Sequence, residues 1–189
     1  YKKMKLKVHD YFIRKSMDLL RPGGILAVVT SKGTLDKNDS TVRKNLAEQA
    51  DLLGAVRLPA DSFGKSANTA VTSDLLFFQK KAEPLMGEPI WTYTGLTEDM
   101  VPVNEYYLEH PEMMLGKMVW FEQFFGKDSK YTALVNNAED FDLEKGILDA
   151  VGELPQNCYE ESIAEKKEEA QDVLAASPKI PNYTFTVIQ

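Results

Sequence analysis

The sequence predicts an α/β fold from one helix–turn–strand repeat near its beginning. Over about residues 9–20, apolar side chains recur every three or four positions, a spacing typical of an amphipathic helix. Pro22-Gly23-Gly24 then ends the helix, because proline cannot continue one and glycine readily adopts the left-handed turn that follows one. Residues 25–30 are almost entirely apolar and rich in β-branched side chains, which predicts an inner strand of a parallel sheet.

The first helix is expected to bury one apolar face against this sheet. The residues that form the face are Val8, Tyr11, Phe12, Ile13, Met17, Leu19 and Leu20. Their helical spacing alone makes Phe12 a core residue.

Two more strands and a second helix complete the predicted sheet. Residues 32–39 are polar and are expected to form a loop, after which Asp39 or Ser40 can cap a helix. The inward positions of that helix are Val42, Leu46 and Ala50. The apolar segments 52–58 and 72–79 predict the second and third strands.

A functional edge is predicted where these strands end. Open α/β sheets bind ligands at the carboxyl ends of their strands, which places the loop 32–39 at such an edge. The connection 60–71 is long and mostly small or polar, with Phe63 as its one large ring. Loops of this length in compact domains more often carry function than serve as simple links.

The composition changes after residue 81, which predicts a boundary between a domain at 1–81 and an α+β extension at 82–189. Residues 82–89 hold two prolines and a glycine, as linkers often do. The extension is expected to contain a strand at 90–94, helical turns at 104–110 and 111–115, hairpin strands at 117–125 and 130–135, and helices near 147–154 and 163–174.

Composition narrows the functional classes. The chain has 189 residues and a net charge of −7, so bulk electrostatics does not make it a polyanion binder. Its single cysteine, Cys158, excludes an internal disulfide and suits a reducing cytoplasm. His9 and His110 lack the spacing of metal ligands, and neither a membrane span nor a signal peptide is visible. Because residue 1 is Tyr, we expect a piece of a longer protein.

The first part of the chain resembles the N6-adenine DNA methyltransferases of the γ-type order. The segments that carry the resemblance are 9–16, 19–29 with Leu-Arg-Pro-Gly-Gly, 53–59, Phe63, Thr69 and 74–80 with Asp-Leu-Leu-Phe-Phe-Gln-Lys. Three further segments, 30–37, 42–44 and 107–116, are similar to the large proteins of mobile elements and phages in which an adenine methylase precedes an SNF2-type helicase. Together the similar segments span roughly residues 8–116.

The resemblance implies the carboxyl half of a Rossmann-like methyltransferase sheet that uses S-adenosylmethionine to methylate adenine in DNA. The family's Gly-containing cofactor loop and its Asn/Asp-Pro-Pro-Tyr/Phe catalytic tetrapeptide are found nowhere in this sequence. We therefore expect no catalytic residue in this chain and no methyl transfer by the chain alone. The implied partners are DNA, an upstream half of the domain and a downstream helicase domain.

The resemblance also implies site residues, each of which has a structural alternative. Phe63 lies where the family places a ring that stacks on the target base, although it could instead anchor its loop. Lys65, Asn68 and Thr69 would contact the DNA backbone or line the path of the base, or form an ordinary polar loop. Phe12 lies where an aromatic edge packs against the cofactor's adenine, which requires an upstream half to complete the pocket.

Two other functions are left open by the residues. The chain could be a non-catalytic DNA-binding or connector module between a methylase and a helicase, in which case the segment 82–189 would matter most. It could also belong to a methyltransferase that acts on RNA or a small molecule. The catalytic tetrapeptide of the parent protein would discriminate between the substrate classes.

Overall fold

The computed structural model describes residues 6–63, 71–120 and 131–158. All of these residues lie in one compact unit, which spans residues 1–158. Its α-helices are α1 Val8–Leu19, α2 Gly33–Asp36, α3 Thr41–Gln49, α4 Glu105–Glu109 and α5 Leu143–Gly152. Its strands are β1 Ile25–Ser31, β2 Ala50–Leu58, β3 Ser73–Lys80, β4 Thr94–Leu96, β5 Pro102–Asn104, β6 Lys117–Trp120 and β7 Thr132–Val135.

The main sheet has the strand order β1-β3-β2, and β3 is antiparallel to both neighbours. The prediction that residues 25–30 form an inner strand of a parallel sheet is therefore wrong within the described residues, where β1 pairs with β3 alone. The physical reason is the position of β3 in the sheet. It lies between β1 and β2 and runs opposite to both, so those two strands, which run in the same direction, are not hydrogen-bonded to each other. The three predicted strands themselves are confirmed to within two residues at each end.

The turn before β1 confirms the predicted Pro-Gly-Gly stop. Gly23 has φ 72°, a left-handed conformation that glycine adopts without a steric penalty. The turn also extends the β1–β3 ladder, because Gly23 N donates to Lys80 O at 2.8 Å and Lys80 N donates to Gly24 O at 2.9 Å. The turn thus fixes the register of the sheet as well as the end of the helix.

Helix α1 buries a narrower face than its periodicity predicted. Ile13 and Met17 are fully buried, whereas Val8, Phe12 and Leu19 are 74%, 61% and 75% exposed. The expectation that Phe12 is a core residue is therefore wrong. Helix α1 packs on β1, which is an edge strand within the part of the chain that the structure describes, so only the stripe of α1 that faces the sheet is enclosed there.

The second part of the chain packs on the same sheet. Trp91, Tyr107 and Ala150 belong to the main apolar cluster together with Leu76 and Phe78 of β3. Residues on both sides of the boundary expected at 81/82 thus share one cluster inside one compact unit. Whether the segments 1–81 and 82–189 are separable domains stays a prediction.

Two elements differ locally from the sequence prediction. The loop expected at 32–39 contains the one-turn helix α2, and the strand expected at 90–94 is a 3₁₀ turn, Ile90–Thr92, followed by β4. The predicted antiparallel pairing of the hairpin strands is confirmed as β6 with β7, with Trp120 opposite Thr132, and the predicted turn between them lies outside the described residues. The helix expected near 163–174 lies outside the described residues. Within the described ranges, no helix has both the length and the apolar character needed to cross a bilayer.

Candidate functional site at the strand ends

The ends of the three main strands meet at one edge of the sheet. Ser31 at the carboxyl end of β1 and Leu58 at the carboxyl end of β2 both lie opposite Ser73, the first residue of β3. Lys32 follows Ser31 directly, and its backbone N donates to Thr72 O at 3.1 Å. The predicted ligand edge is therefore formed by three segments that are distant in sequence.

An open groove lies beside β1, between that strand and α1. It has a volume of about 360 Å³ and is lined by Val8, His9, Phe12, Ile13, Val28, Val29 and Thr30. Most of its walls are apolar, and the exposed ring of Phe12 stands at its rim. Such a surface suits a flat, apolar-faced group such as a nucleobase better than a compact charge.

Phe63 lies apart from that groove. Its side chain is half-buried and packs against the main apolar cluster, and it is not among the residues that line the groove. A backbone hydrogen bond from Ser62 N to Pro59 O, 3.1 Å long, forms the turn that precedes it. Phe63 therefore has the contacts of a loop anchor, and its stacking role stays a prediction. Lys65, Asn68 and Thr69 lie outside the described residues.

A buried cluster of charged side chains lies near the strand ends and was not predicted from the sequence. Arg57 is fully buried and donates to two carboxylates: Nε to Asp74 Oδ1 and Nη1 to Asp36 Oδ2, each at 2.7 Å. Its Nη2 donates to both carboxylates at 2.9 Å. The guanidinium lies over the Tyr107 ring, 4.2 Å from its centroid. The available signal was a single charged residue, Arg57 or Asp74, inside each of the mainly apolar segments 52–58 and 72–79.

The oppositely charged groups in this cluster stabilise one another electrostatically. Burial disfavours a charged guanidinium, but the carboxylates of Asp36 and Asp74 outweigh it and raise the pKa of Arg57 well above its ordinary value. Burial, together with the neighbouring Asp74 carboxylate, also raises the pKa of Tyr107. The cluster joins β2, β3 and α2 to α4 of the second part of the chain.

Lys32 is a second cation at the same edge. Its Nζ donates to Thr132 Oγ1 on β7 at 2.8 Å and lies 5.6 Å from the centroid of the Tyr131 ring. Burial lowers the pKa of Lys32, while Asp36 and Asp74 act in the opposite direction. The ammonium group is thus partly desolvated and held by one side-chain hydroxyl.

Asp10 is a buried carboxylate on α1 that sequence reasoning also passed over. It is 1% exposed, and neither carboxylate oxygen accepts a hydrogen bond from a described residue. His9 Nε2 lies 3.4 Å from Oδ1, and Lys37 Nζ lies 4.0 Å from Oδ2. Among the described residues, no cluster of three or more His, Cys, Asp or Glu side chains could hold a metal ion.

Comparison with known proteins gives the class first: this chain of mixed helices and strands matches a family of DNA methylases. The sequence model described as N-6 DNA Methylase matches residues 4–144, well over half of the chain. The chain therefore belongs to the N-6 DNA methylase family, as the resemblance predicted.

Two relatives are much longer than this chain. It is 28% identical over 120 residues to Defense against restriction protein B of Escherichia phage P1, a match that covers 60% of this chain and 5% of the phage protein. A solved structure, the Type I restriction enzyme EcoKI M protein, is 28% identical with a TM-score of 0.36, over 39% of this chain and 15% of that chain. This chain thus matches only a small part of each relative's length.

Proposed function

We propose that this chain is part of a methyltransferase that transfers a methyl group from S-adenosylmethionine to the N6 atom of adenine in DNA. The observation that carries the proposal is the match of the N-6 DNA Methylase family to residues 4–144. That range includes α1, the three strands of the main sheet and the hairpin β6–β7. We infer that the strand ends of this sheet form a ligand edge, as strand ends do in open α/β proteins.

The groove beside β1 fits the cofactor's adenine. Its walls are mainly apolar, and Phe12 presents an exposed ring at the rim instead of packing into the core. Aromatic rings pack favourably edge-on or offset against other aromatic rings. Phe12, Val28 and Val29 would hold the adenine of S-adenosylmethionine, which supplies the methyl group when bound.

The surface around β1 also suits the binding of an upstream half of the domain. Within the described residues, the outer edge of β1 has no paired strand, so its backbone N–H and C=O groups are open to a further strand. Val8, Phe12 and Val29 flank that edge and are 74%, 61% and 55% exposed. A strand added there would satisfy the backbone groups and bury these side chains, and the missing catalytic tetrapeptide would come with it.

On the DNA side, we propose that Phe63 stacks on the adenine after it leaves the duplex. Enzymes that modify a base usually rotate it out of the helix and hold it by stacking. Phe63 follows β2 by five residues and so lies near the carboxyl edge of the sheet. Lys65, Asn68 and Thr69, next in the chain, would contact the surrounding phosphates. The segment 82–189 would lead toward a helicase domain in methylase–helicase relatives.

The test is methyl transfer from labelled S-adenosylmethionine to plasmid DNA, followed by mass spectrometry of the digested nucleosides. We expect N6-methyladenine from the full-length parent protein and no transfer by residues 1–189 alone. Matched reactions with total RNA and with DNA that already carries N6-methyladenine serve as controls. Transfer by the isolated chain would overturn the predicted inactivity, and transfer by the parent only to RNA would overturn the choice of substrate.

A further inference from the structure

One residue of β7 holds both ends of the connection between β2 and β3. Ala60 N donates to Leu134 O at 2.9 Å, and Leu134 N donates to Thr72 Oγ1 at 2.8 Å. Leu134 and Thr72 are both fully buried. Both hydrogen bonds use backbone groups of Leu134 and lie outside the β6–β7 pairing, so they join the hairpin to the sheet edge.

Strand β7 reaches the end of β1 as well. Thr132, two residues before Leu134, accepts the hydrogen bond from Lys32 Nζ at 2.8 Å and is itself 3% exposed. A single short strand from the second part of the chain therefore contacts all three segments that form the ligand edge.

The β6–β7 hairpin that makes these contacts is itself packed into a buried apolar cluster. Leu134 and Met118 form a buried apolar cluster with Val101 and Val103. The sulfur of Met118 also lies 3.9 Å from Arg57 Nη1, so the hairpin touches the buried charged cluster. A displacement of β7 would disturb both cores, because closely packed interiors yield little.

We propose that β7 is a positioning element for Phe63, acting through Thr72 and Ala60. Ala60 is fixed by Leu134 O, and the Pro59–Ser62 turn then determines where the chain delivers Phe63 three residues later. This inference rests on the proposed function, because it assigns to the second part of the chain the placement of the ring that would stack on the adenine. The extension is then part of the methyl-transfer site and not a connector alone.

The experiment uses the full-length parent protein with Thr72 replaced. Thr72→Val keeps the shape of the side chain and removes the oxygen that Leu134 N needs, whereas Thr72→Ser keeps that oxygen. Steady-state methylation of plasmid DNA gives kcat and the KM for S-adenosylmethionine. We expect Thr72→Val to lower kcat about tenfold or more, since small misplacements of a positioned group are costly. The KM for the cofactor should stay unchanged, and Thr72→Ser should recover most of kcat.

A double-mutant cycle separates positioning from general support. If Thr72 acts through Phe63, Thr72→Val will change kcat little in a Phe63→Leu background, because the ring it positions is already gone. Additive losses would overturn the proposal. An unchanged kcat in Thr72→Val would also overturn it, while a parent protein that does not methylate DNA would instead refute the proposed function.

A second variant keeps the inference testable if Thr72→Val does not fold. Thr132, which lies on β7 with Leu134, accepts a hydrogen bond from Lys32; Thr132→Val removes the accepting hydroxyl, and Thr132→Ser is its matched control. We expect the same pattern: kcat falls in the valine variant, recovers in the serine variant and does not fall further in the Phe63→Leu background. Equal kcat values in Thr132→Val and Thr132→Ser would contradict the role assigned to β7.

Discussion

Arg57 and Asp74 form an ion pair across neighbouring strands in which both side chains are completely buried. Nε donates to Oδ1 at 2.7 Å and Nη2 to Oδ2 at 2.9 Å, so the pair is bidentate. Asp36 occupies the other side of the guanidinium, with its Oδ2 2.7 Å from Nη1. Buried charges are tolerated when their geometry and hydrogen bonds are this complete. The pair therefore fixes the relative positions of β2, β3 and α2 beneath the ligand edge.

Removal of the guanidinium should destabilise the protein strongly. Arg57→Met fills similar space but leaves two carboxylates without their cation, and breaking a buried pair in this way costs about 3–5 kcal/mol. Urea unfolding measures the loss. Lys44→Met is the matched control, because Lys44 bonds Glu88 at the same 2.7 Å but at the exposed surface. We expect no measurable change there, and equal losses in the two variants would show that burial does not strengthen the Arg57 pair.

Phe12 and Ile13 should respond in opposite ways to truncation. Ile13 is 2% exposed, so Ile13→Ala should cost about 2–5 kcal/mol through lost burial and a cavity. Phe12 is 61% exposed, so Phe12→Ala should change the free energy of unfolding by about 0.5 kcal/mol or less. In the full-length protein, Phe12→Ala should instead weaken S-adenosylmethionine binding, which calorimetry measures. A large stability loss for Phe12→Ala would place the ring in the core.

The sequence predicted the elements of the main sheet well because their signals are local. The glycines after α1 require a left-handed turn, which Gly23 adopts, and continuous apolar runs marked β1 and β3. The strand order could not be predicted from those signals, because an apolar run does not show which strands pair or in which direction they run. Among the described residues β1 pairs with β3 alone, and this position and the exposure of Phe12 were mispredicted together.

Only part of the candidate site could be predicted from the sequence, because tertiary contacts bring its other residues together. Phe63 and Phe12 came from the resemblance; in the structure Phe12 lines the groove beside β1 and Phe63 packs against the main apolar cluster, so the two rings do not share a cavity. Arg57, Asp36 and Asp74 are up to 38 residues apart in sequence, and their pairing depends on the register of β2 with β3. The bond between Lys32 and Thr132 spans 100 residues and needs the tertiary fold to exist.

Lys32 should make the stability of the protein depend on pH in the alkaline range. Its pKa in the folded protein is lowered by burial, so between that value and the ordinary value of 10.5 the unfolded chain binds more protons. Stability contributed by this residue therefore rises as the pH increases through that window. Lys32→Met removes the titration. The difference in unfolding free energy between wild type and Lys32→Met, measured by urea from pH 8 to 10.5, should shift in favour of wild type as pH rises.

The control for this prediction is Lys117→Met. Lys117 is exposed, and its hydrogen bond to Asp99 raises its pKa, so its removal should not reproduce the alkaline shift of Lys32→Met. A constant difference between wild type and Lys32→Met across the range would show that the Lys32 ammonium is fully solvated.

Phe63 offers the most direct test of base stacking, since its two possible roles depend on different properties of the side chain. As a loop anchor it needs apolar volume, which leucine supplies nearly as well. As a stacking partner it needs an aromatic face, which leucine lacks and tyrosine keeps. Phe63→Leu and Phe63→Tyr therefore separate the two roles within one position.

We expect Phe63→Leu to leave unfolding by urea almost unchanged and to lower kcat/KM for DNA methylation by the full-length protein. The loss of one base–aromatic stack is worth about 1–3 kcal/mol, which corresponds to roughly a 5- to 150-fold decrease. Phe63→Tyr should keep most of the activity because it keeps the ring. If Phe63→Leu methylates DNA as fast as wild type, Phe63 is an anchor of its loop, and the ring that stacks on the adenine must be sought on another segment.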